Sequence, residues 1–228
     1  MDLIASSTRL LTSFYEIRTL NKAGFGTALQ PPQPEALYIL RKNMIHGLTH
    51  IEEFISREEE QDLLVALDNE EWLTSLKRRV QHYGYKYDYK ARYVDSSLYL
   101  GSLPEWSSEV LARLHSKEFI PETFDQLIVN EYEPGQGVSA HIDCVPCFKE
   151  TIVSLSVGSQ AEMVFTHKEL GKKTILLNPR SVVILQKDAR YNWTHSIPNR
   201  KSDLVNGSRV QRSRRVSLTF RQVIKENV

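Results

Sequence analysis

Beyond Phe119 the chain is written in short runs of β-branched and aromatic residues, and this texture most narrows the folds open to it. Candidate strands fall at 125–133, 151–158, 161–167, 173–177, 181–187 and 214–223, parted by Pro, Gly or polar turns. Runs such as Thr151-Ile-Val-Ser-Leu-Ser-Val157 and Ser181-Val-Val-Ile-Leu185 have strand length, too short for buried helices. The first half reads differently. Ser56-Arg-Glu-Glu59 is a capping box, with Ser accepting an N–H bond and Glu reaching back. Leu63, Leu64, Leu67, Trp72, Leu73 and Leu76 then recur at helical spacing, which predicts an amphipathic helix to about Leu76. Pro104, Trp106, Val110, Leu111 and Leu114 predict a second helix ending near His115. Helices first and many short strands afterwards imply an α+β protein built on a β-sandwich or jelly roll.

A chain of 228 residues can bury one sizeable core. Residues 1–36, closing on Pro31-Pro32-Gln33-Pro34, read as an N-terminal extension, flexible or docked, with some likeness to an organelle transit peptide. The globular domain takes 37–228 and opens on a strand at Leu37–Leu40. No apolar run approaches the roughly 18 residues a membrane span requires. The net charge is +1, yet basic residues cluster: six against one acidic in 77–92, and seven against one in 200–221. Such clusters either give one face a positive potential or are scattered solvated charges. The two cysteines, Cys144 and Cys147, build no disulfide framework and are expected as two thiols in a loop, which suits a reducing compartment such as cytoplasm or nucleus.

Chemistry concentrates in Asn130-Glu-Tyr-Glu-Pro-Gly-Gln-Gly-Val-Ser-Ala-His141-Ile-Asp143. In an extended chain His141 and Asp143 share a face. One more imidazole would complete the two-His, one-carboxylate set of non-haem Fe(II) oxygenases. His195, in Trp193-Thr-His195-Ser-Ile197, is the best candidate. His167 also follows a strand, and spacing alone does not choose between them. Arg215 and Arg221 are six apart on a predicted strand, hence on one face. If that face is interior, two buried guanidiniums call for an anion, and a dicarboxylate fits; if it is the outer face, they are solvated.

Taken together, Asn130-x-Tyr132-x-x-Gly135, His141-x-Asp143, His195 and Arg215-x5-Arg221 resemble the AlkB family of Fe(II)/2-oxoglutarate-dependent dioxygenases, over roughly Leu37 to Val223. Ile152-Val-Ser-Leu-Ser-Val-Gly-Ser159 and Arg190-Tyr-x-Trp-x-His195 are most similar to the family's tRNA wobble-uridine hydroxylases. The resemblance implies a double-stranded β-helix core with N-terminal flanking helices. It implies Fe(II) on His141, Asp143 and His195, with 2-oxoglutarate and O2 as co-substrates. Arg215 would take the distal carboxylate, Arg221 would lie near the metal-bound end, and Asn130 and Tyr132 would add hydrogen bonds. The family carries its nucleotide-recognition lid at residues 78–89. There Arg78 and Arg79 would meet phosphates and Tyr83 or Tyr85 would stack a base, with Arg190 also on the substrate side. The alternative is a strand with four tyrosines on one face, packed on the core. Val145 stands where base-repairing members carry a second acidic residue, which disfavours demethylation of alkylated DNA or RNA bases. The expected activity is hydroxylation of modified RNA, with tRNA wobble uridine favoured; oxidation of a protein or lipid is a further alternative. If the chain acts on tRNA, the RNA-recognition and methyltransferase functions of the full-length tRNA enzymes would come from other chains or be dispensable.

Overall fold

The computed structural model describes residues 45–74, 77–116, 119–120 and 123–225. The expected extension at 1–36 and the strand at Leu37–Leu40 lie outside the described residues. In chain order the elements are β1 (Leu48–Ile51), α1 (Arg57–Asp68), β2 (Val80–Tyr83), α2 (Ser108–Ser116), β3 (Gln126–Tyr132), β4 (Val138–His141), β5 (Ile152–Gly158), β6 (Ala161–His167), β7 (Gly171–Leu177), β8 (Ser181–Leu185), α3 (Lys187–Tyr191), β9 (Thr194–Ile197), β10 (Ser202–Val205), β11 (Ser208–Gln211) and β12 (Arg215–Arg221). They form a six-stranded sheet, β1-β8-β5-β12-β3-β2, a four-stranded sheet, β4-β9-β6-β7, and a separate β10-β11 hairpin. All pairings are antiparallel. This is the expected α+β architecture with a jelly-roll core.

Period-two alternation on the six-stranded sheet divides the interior in two. One face carries Leu127, Val129, Val153, Leu155, Val182, Ile184, Leu218 and Phe220, which pack with Leu63 and Leu67 of α1 and Val110 and Leu114 of α2. The other carries Ile152, Val183 and Leu185, which meet Met163, Phe165 and Ile197 of the four-stranded sheet. Both faces are covered, so the central strands read as continuous apolar runs. Leu218, fully buried at the centre, would cost roughly 2–5 kcal/mol if cut to Ala. Asn130, Ser154, Ser217, Thr219, Arg215 and Arg221 fall on the second face. They are what opens a cavity there.

Two expectations are corrected. Helix α1 stops at Asp68 and not near Leu76: the Asn69 N–H closes it on Val65 and Leu67 carbonyls, and Leu73 instead pairs backbone to backbone with Val80, at 2.9 and 3.0 Å. Trp72 is partly buried under the Arg79 guanidinium, so the helical spacing beyond Asp68 reflects packing of an irregular segment. The tyrosine row is not one strand face either. Gly84 has φ +75°, and a Cβ there would lie 1.8 Å from the Asp125 carbonyl oxygen. That turn, which only glycine fits, ends β2 and breaks the alternation. Tyr83 joins the helix-side core edge-on to Trp106, Tyr85 stacks at a tilt on Tyr99, and Tyr87 and Tyr89 turn to the cavity. The second helix runs as expected: a 3-10 turn at Glu105–Ser107 leads into α2. Among the described residues no helix is long and apolar enough to cross a membrane.

Candidate active site

Strands β4 and β9 pair so that His141 and His195 stand directly opposite, with ring centroids 4.4 Å apart. Asp143 lies two residues past the end of β4, in a loop and not on the extended strand assumed from sequence. Arg221 Nη2 donates to its Oδ1 at 3.0 Å, and Arg190 Nη1 donates to its backbone carbonyl at 2.8 Å. One ligand atom from each of His141, Asp143 and His195 lies within 4.8 Å of the others. His141 Nδ1 is 2.8 Å from the Ser139 carbonyl, which assigns its proton there and leaves Nε2 facing Asp143 Oδ1 at 3.9 Å. The buried Nδ1 of His195 has no hydrogen-bond partner among the described residues. Burial pushes the His195 imidazole down to about 4, keeping it neutral and able to ligate. Burial disfavours the charged form of Asp143, but the Arg221 charge leads the neighbours that outweigh it and hold the carboxyl well below its usual range. Two imidazoles and one carboxylate converging on an open cavity could hold Fe(II) facially. His167, the competing candidate, accepts from the Glu169 and Leu170 N–H groups at the end of β6 and takes no part.

The cavity measures about 620 Å³ and is walled by both sheets. Asn130, Tyr132, Arg215 and Arg221 all line it, so the interior reading of the two arginines holds. Arg215 is 3% exposed. Its Nη2 donates to the Ser156 hydroxyl at 2.7 Å, its guanidinium lies 5.5 Å from the Tyr132 ring centre, and its buried Nε has no partner among the described residues. No carboxylate pairs with it among the described residues, and burial pushes its pKa down to about 10. A buried guanidinium in that state is a site for an anion. Arg221 spends one nitrogen on Asp143, lies 5.0 Å from the Phe148 ring, and has a buried Nε with no partner among the described residues. The donor set therefore fits a dicarboxylate reaching from Arg215 towards the histidines.

Of the residues expected on the substrate side, only Arg78 lines this cavity. Arg79 turns to the outer face and pairs with Glu131 at 2.5 Å. Tyr83 and Tyr85 are packed in the two cores as described. Arg190 is 2% exposed, and its donors are taken by the carbonyls of Asp143, Cys144, Lys149 and Phe148. It is a buried clamp on the loop carrying the carboxylate ligand, and cannot reach a substrate. Cys144 and Cys147, expected as thiols, are joined as a disulfide in that loop. The residues the sequence reading missed are Tyr87, Tyr89, Lys77, Arg92 and Asn199 on the cavity wall, and Ser156 behind Arg215. Ser154 and Ser156 carried a usable signal: two polar residues at period two inside an apolar strand mark a wet inner face.

The sequence model of the 2OG-Fe(II) oxygenase superfamily matches residues 47–221. The chain belongs to this superfamily. Its relatives make it an AlkB-type oxygenase. The alkylated DNA repair protein ALKBH8 homolog of Arabidopsis thaliana is 38% identical over 203 residues, covering 78% of this chain and 59% of that protein. The tRNA (carboxymethyluridine(34)-5-O)-methyltransferase ALKBH8 of Mus musculus is 39% identical, covering 78% of this chain and 30% of that one. Uncharacterized protein L905 of Acanthamoeba polyphaga mimivirus is 36% identical and is covered over 90% of its length. The solved structure of OsALKBH1 shares the fold, with a TM-score of 0.60 at 20% identity over 77% of this chain and 96% of that one. As a superfamily member this oxygenase uses Fe(II), 2-oxoglutarate and O2.

Proposed function

We propose that this oxygenase acts on nucleic acid and hydroxylates a modified uridine at the wobble position of tRNA. The observation that carries the reading is the likeness to two ALKBH8 relatives, at 38% and 39% identity, over 78% of the chain. The cavity wall supports it: Tyr87 and Tyr89 offer ring faces to a splayed base, and Lys77 and Arg92 offer charge to its phosphates. Val145 is 46% exposed and lies outside the cavity lining, so its position gives no acid to read a methylated, cationic base. That favours hydroxylation of a side chain over base demethylation. The methyltransferase activity named for the mouse relative would, on this reading, be a separate step carried out by other residues or another chain.

In this assignment His141, Asp143 and His195 hold the iron. With Fe(II), 2-oxoglutarate and O2 bound, the site supplies oxidative decarboxylation of the co-substrate to succinate and CO2, coupled to hydroxylation of a substrate C–H bond. The chain's own residues do the positioning. Arg215 and Ser156 grip the distal carboxylate, Asn130 and Tyr132 orient it, and Arg221 fixes the Asp143 carboxylate through the 3.0 Å bond. Met163, Val138 and Ile197 keep the wall beside the histidines apolar and limit water at the reacting carbon. The test is mass spectrometry of nucleosides from tRNA incubated with the protein, Fe(II) and 2-oxoglutarate. A gain of one oxygen on the wobble nucleoside, lost in His195→Ala, supports the reading. Unchanged tRNA together with loss of methyl from an alkylated oligonucleotide would replace it with demethylation.

A further inference from the structure

Arg78 joins two sets of residues that the proposed mechanism treats separately. Its Nε donates to Asn130 Oδ1 at 2.7 Å. Its guanidinium lies 5.8 Å from the Tyr132 ring centre and 5.9 Å from that of Tyr89. Arg215 approaches Tyr132 as well, at 5.5 Å, so two guanidiniums attend one ring. All five side chains line the same cavity, with Asn130 and Tyr132 on β3 and Tyr89 beyond the Gly84 turn.

The hydrogen bond has a direction that matters. A guanidinium only donates, so it must face the carboxamide oxygen of Asn130 and not its nitrogen. The Asn130 NH2 group is then left to donate elsewhere, which is what an anionic co-substrate needs from it. With the amide reversed, a carbonyl lone pair would meet a carboxylate, and the NH2 would meet Arg78. Arg78 thus decides which end of Asn130 the co-substrate sees. The same guanidinium touches Tyr89, on the side where a base would enter, so the order of the two sites is tied through one side chain.

We propose that Arg78 is a positioning residue for 2-oxoglutarate, orienting the Asn130 amide, and the link through which co-substrate binding steadies Tyr89. A phosphate contact, the role its charge suggests, is the competing account. The inference rests on Asn130, Tyr132 and Arg215 as the co-substrate contacts. Linkage makes the coupling reciprocal: if 2-oxoglutarate tightens binding of RNA, RNA tightens 2-oxoglutarate by the same factor, and both effects run through Arg78.

Calorimetric titration of 2-oxoglutarate into the Mn(II)-loaded full chain tests this without turnover. Arg78→Ala should weaken binding about tenfold, and Arg78→Lys, which still donates to Oδ1, should recover most of it. In an Asn130→Ala background the Arg78→Ala change should add less than about twofold, because the amide it orients is gone. Affinity for an anticodon stem-loop RNA, measured without 2-oxoglutarate, should stay within about twofold of the unaltered protein. An Arg78→Ala variant that binds 2-oxoglutarate normally but loses RNA affinity overturns the proposal in favour of a phosphate contact. Additive effects of Arg78→Ala and Asn130→Ala would also overturn it. Arg215→Met is run in parallel. If it too leaves 2-oxoglutarate binding intact, the co-substrate assignment itself fails; if only Arg78→Ala does, only this inference fails.

Discussion

Arg214 and Arg215 are neighbours at the head of β12, and they live in opposite electrostatic worlds. Arg214 faces outward. It donates to Glu131 Oε1 at 2.7 Å and bidentately to Asp68 at 2.5 and 2.8 Å, while Arg79 donates to both Glu131 oxygens, sharing Oε1 with Arg214. Asp68 closes α1, where a negative charge opposes the helix dipole, so this network both ties the helix to the sheet and offsets that conflict. Those carboxylates, Asp68 first, push the Arg214 pKa up. Burial pushes that of Arg215 down to about 10, with no carboxylate among the described residues to oppose it. The outer face completes its charges within the chain. The inner face leaves its guanidinium short of an anion, which is how a fold reserves a place for a charged ligand.

The largest test of this contrast is Arg215→Met. It should weaken 2-oxoglutarate binding by more than about 100-fold, on the order of 3 kcal/mol, since a desolvated carboxylate loses its partner. In the ligand-free protein the same change removes an unpaired buried charge, so urea unfolding should show equal or greater stability, by up to about 4 kcal/mol. A loss of apo stability would mean that Arg215 is structural after all. Arg212→Met should behave in the opposite way. Arg212 clamps Asp203, whose side chain is fully buried, at 2.6 and 2.7 Å, and among the described residues only the Arg200 side chain would remain to it. Removing one partner of a buried pair should cost about 3 kcal/mol in urea unfolding and leave 2-oxoglutarate affinity untouched.

The same contrast explains what could be read from the sequence. Strands β3, β5, β6, β7, β8 and β12 and the second helix were legible because each sits on a period-two or period-3.6 pattern, and the seven residues proposed for metal and co-substrate stood out through the motifs that carry the family resemblance. The basic clusters were not. Of the seven basic residues in 200–221, Arg200 and Arg214 are tied to acids far away in sequence, Glu162 and Asp68, Arg212 is paired with Asp203 within the cluster, and two more face the cavity. Charge counts in one dimension cannot register partners that only folding supplies. Arg190 failed for the same reason, since its partners are backbone carbonyls 41 to 47 residues away. Tyr83 and Tyr85 failed because one glycine, Gly84, interrupts an alternation that composition alone would continue.

Arg214→Met sharpens the comparison at smaller scale. The pair is half-exposed and Glu131 keeps Arg79, so the loss should be about 1 kcal/mol by urea unfolding, with 2-oxoglutarate affinity unchanged. A drop in affinity there would mean that the two faces communicate through β12.

The smallest effect is in acid. Glu59, in the first turn of α1, accepts from Arg113 at 3.2 Å and from the Ser56 N–H at 2.6 Å, and these bonds, Arg113 first, pull its carboxyl down to about 2. Its ordinary value is 4.5, so the unfolded chain binds this proton at higher pH than the folded one. The stabilisation is therefore complete above about pH 4.5 and is lost as the pH falls towards 2. Because the pair is partly exposed, it amounts to under about 1 kcal/mol. Glu59→Gln should flatten that part of the acid limb, and Arg214→Met should do so as well, since Asp68 and Glu131 are also held low by arginines, Arg214 for the first and Arg79 for the second. Arg215→Met should leave the acid limb parallel to that of the unaltered protein, because no carboxylate among the described residues is paired with it. Parallel limbs for Arg215→Met and a flattened one for Arg214→Met, measured as urea midpoints from pH 5 to 2, would separate the two faces by proton binding alone; a flattened limb for both would erase the distinction.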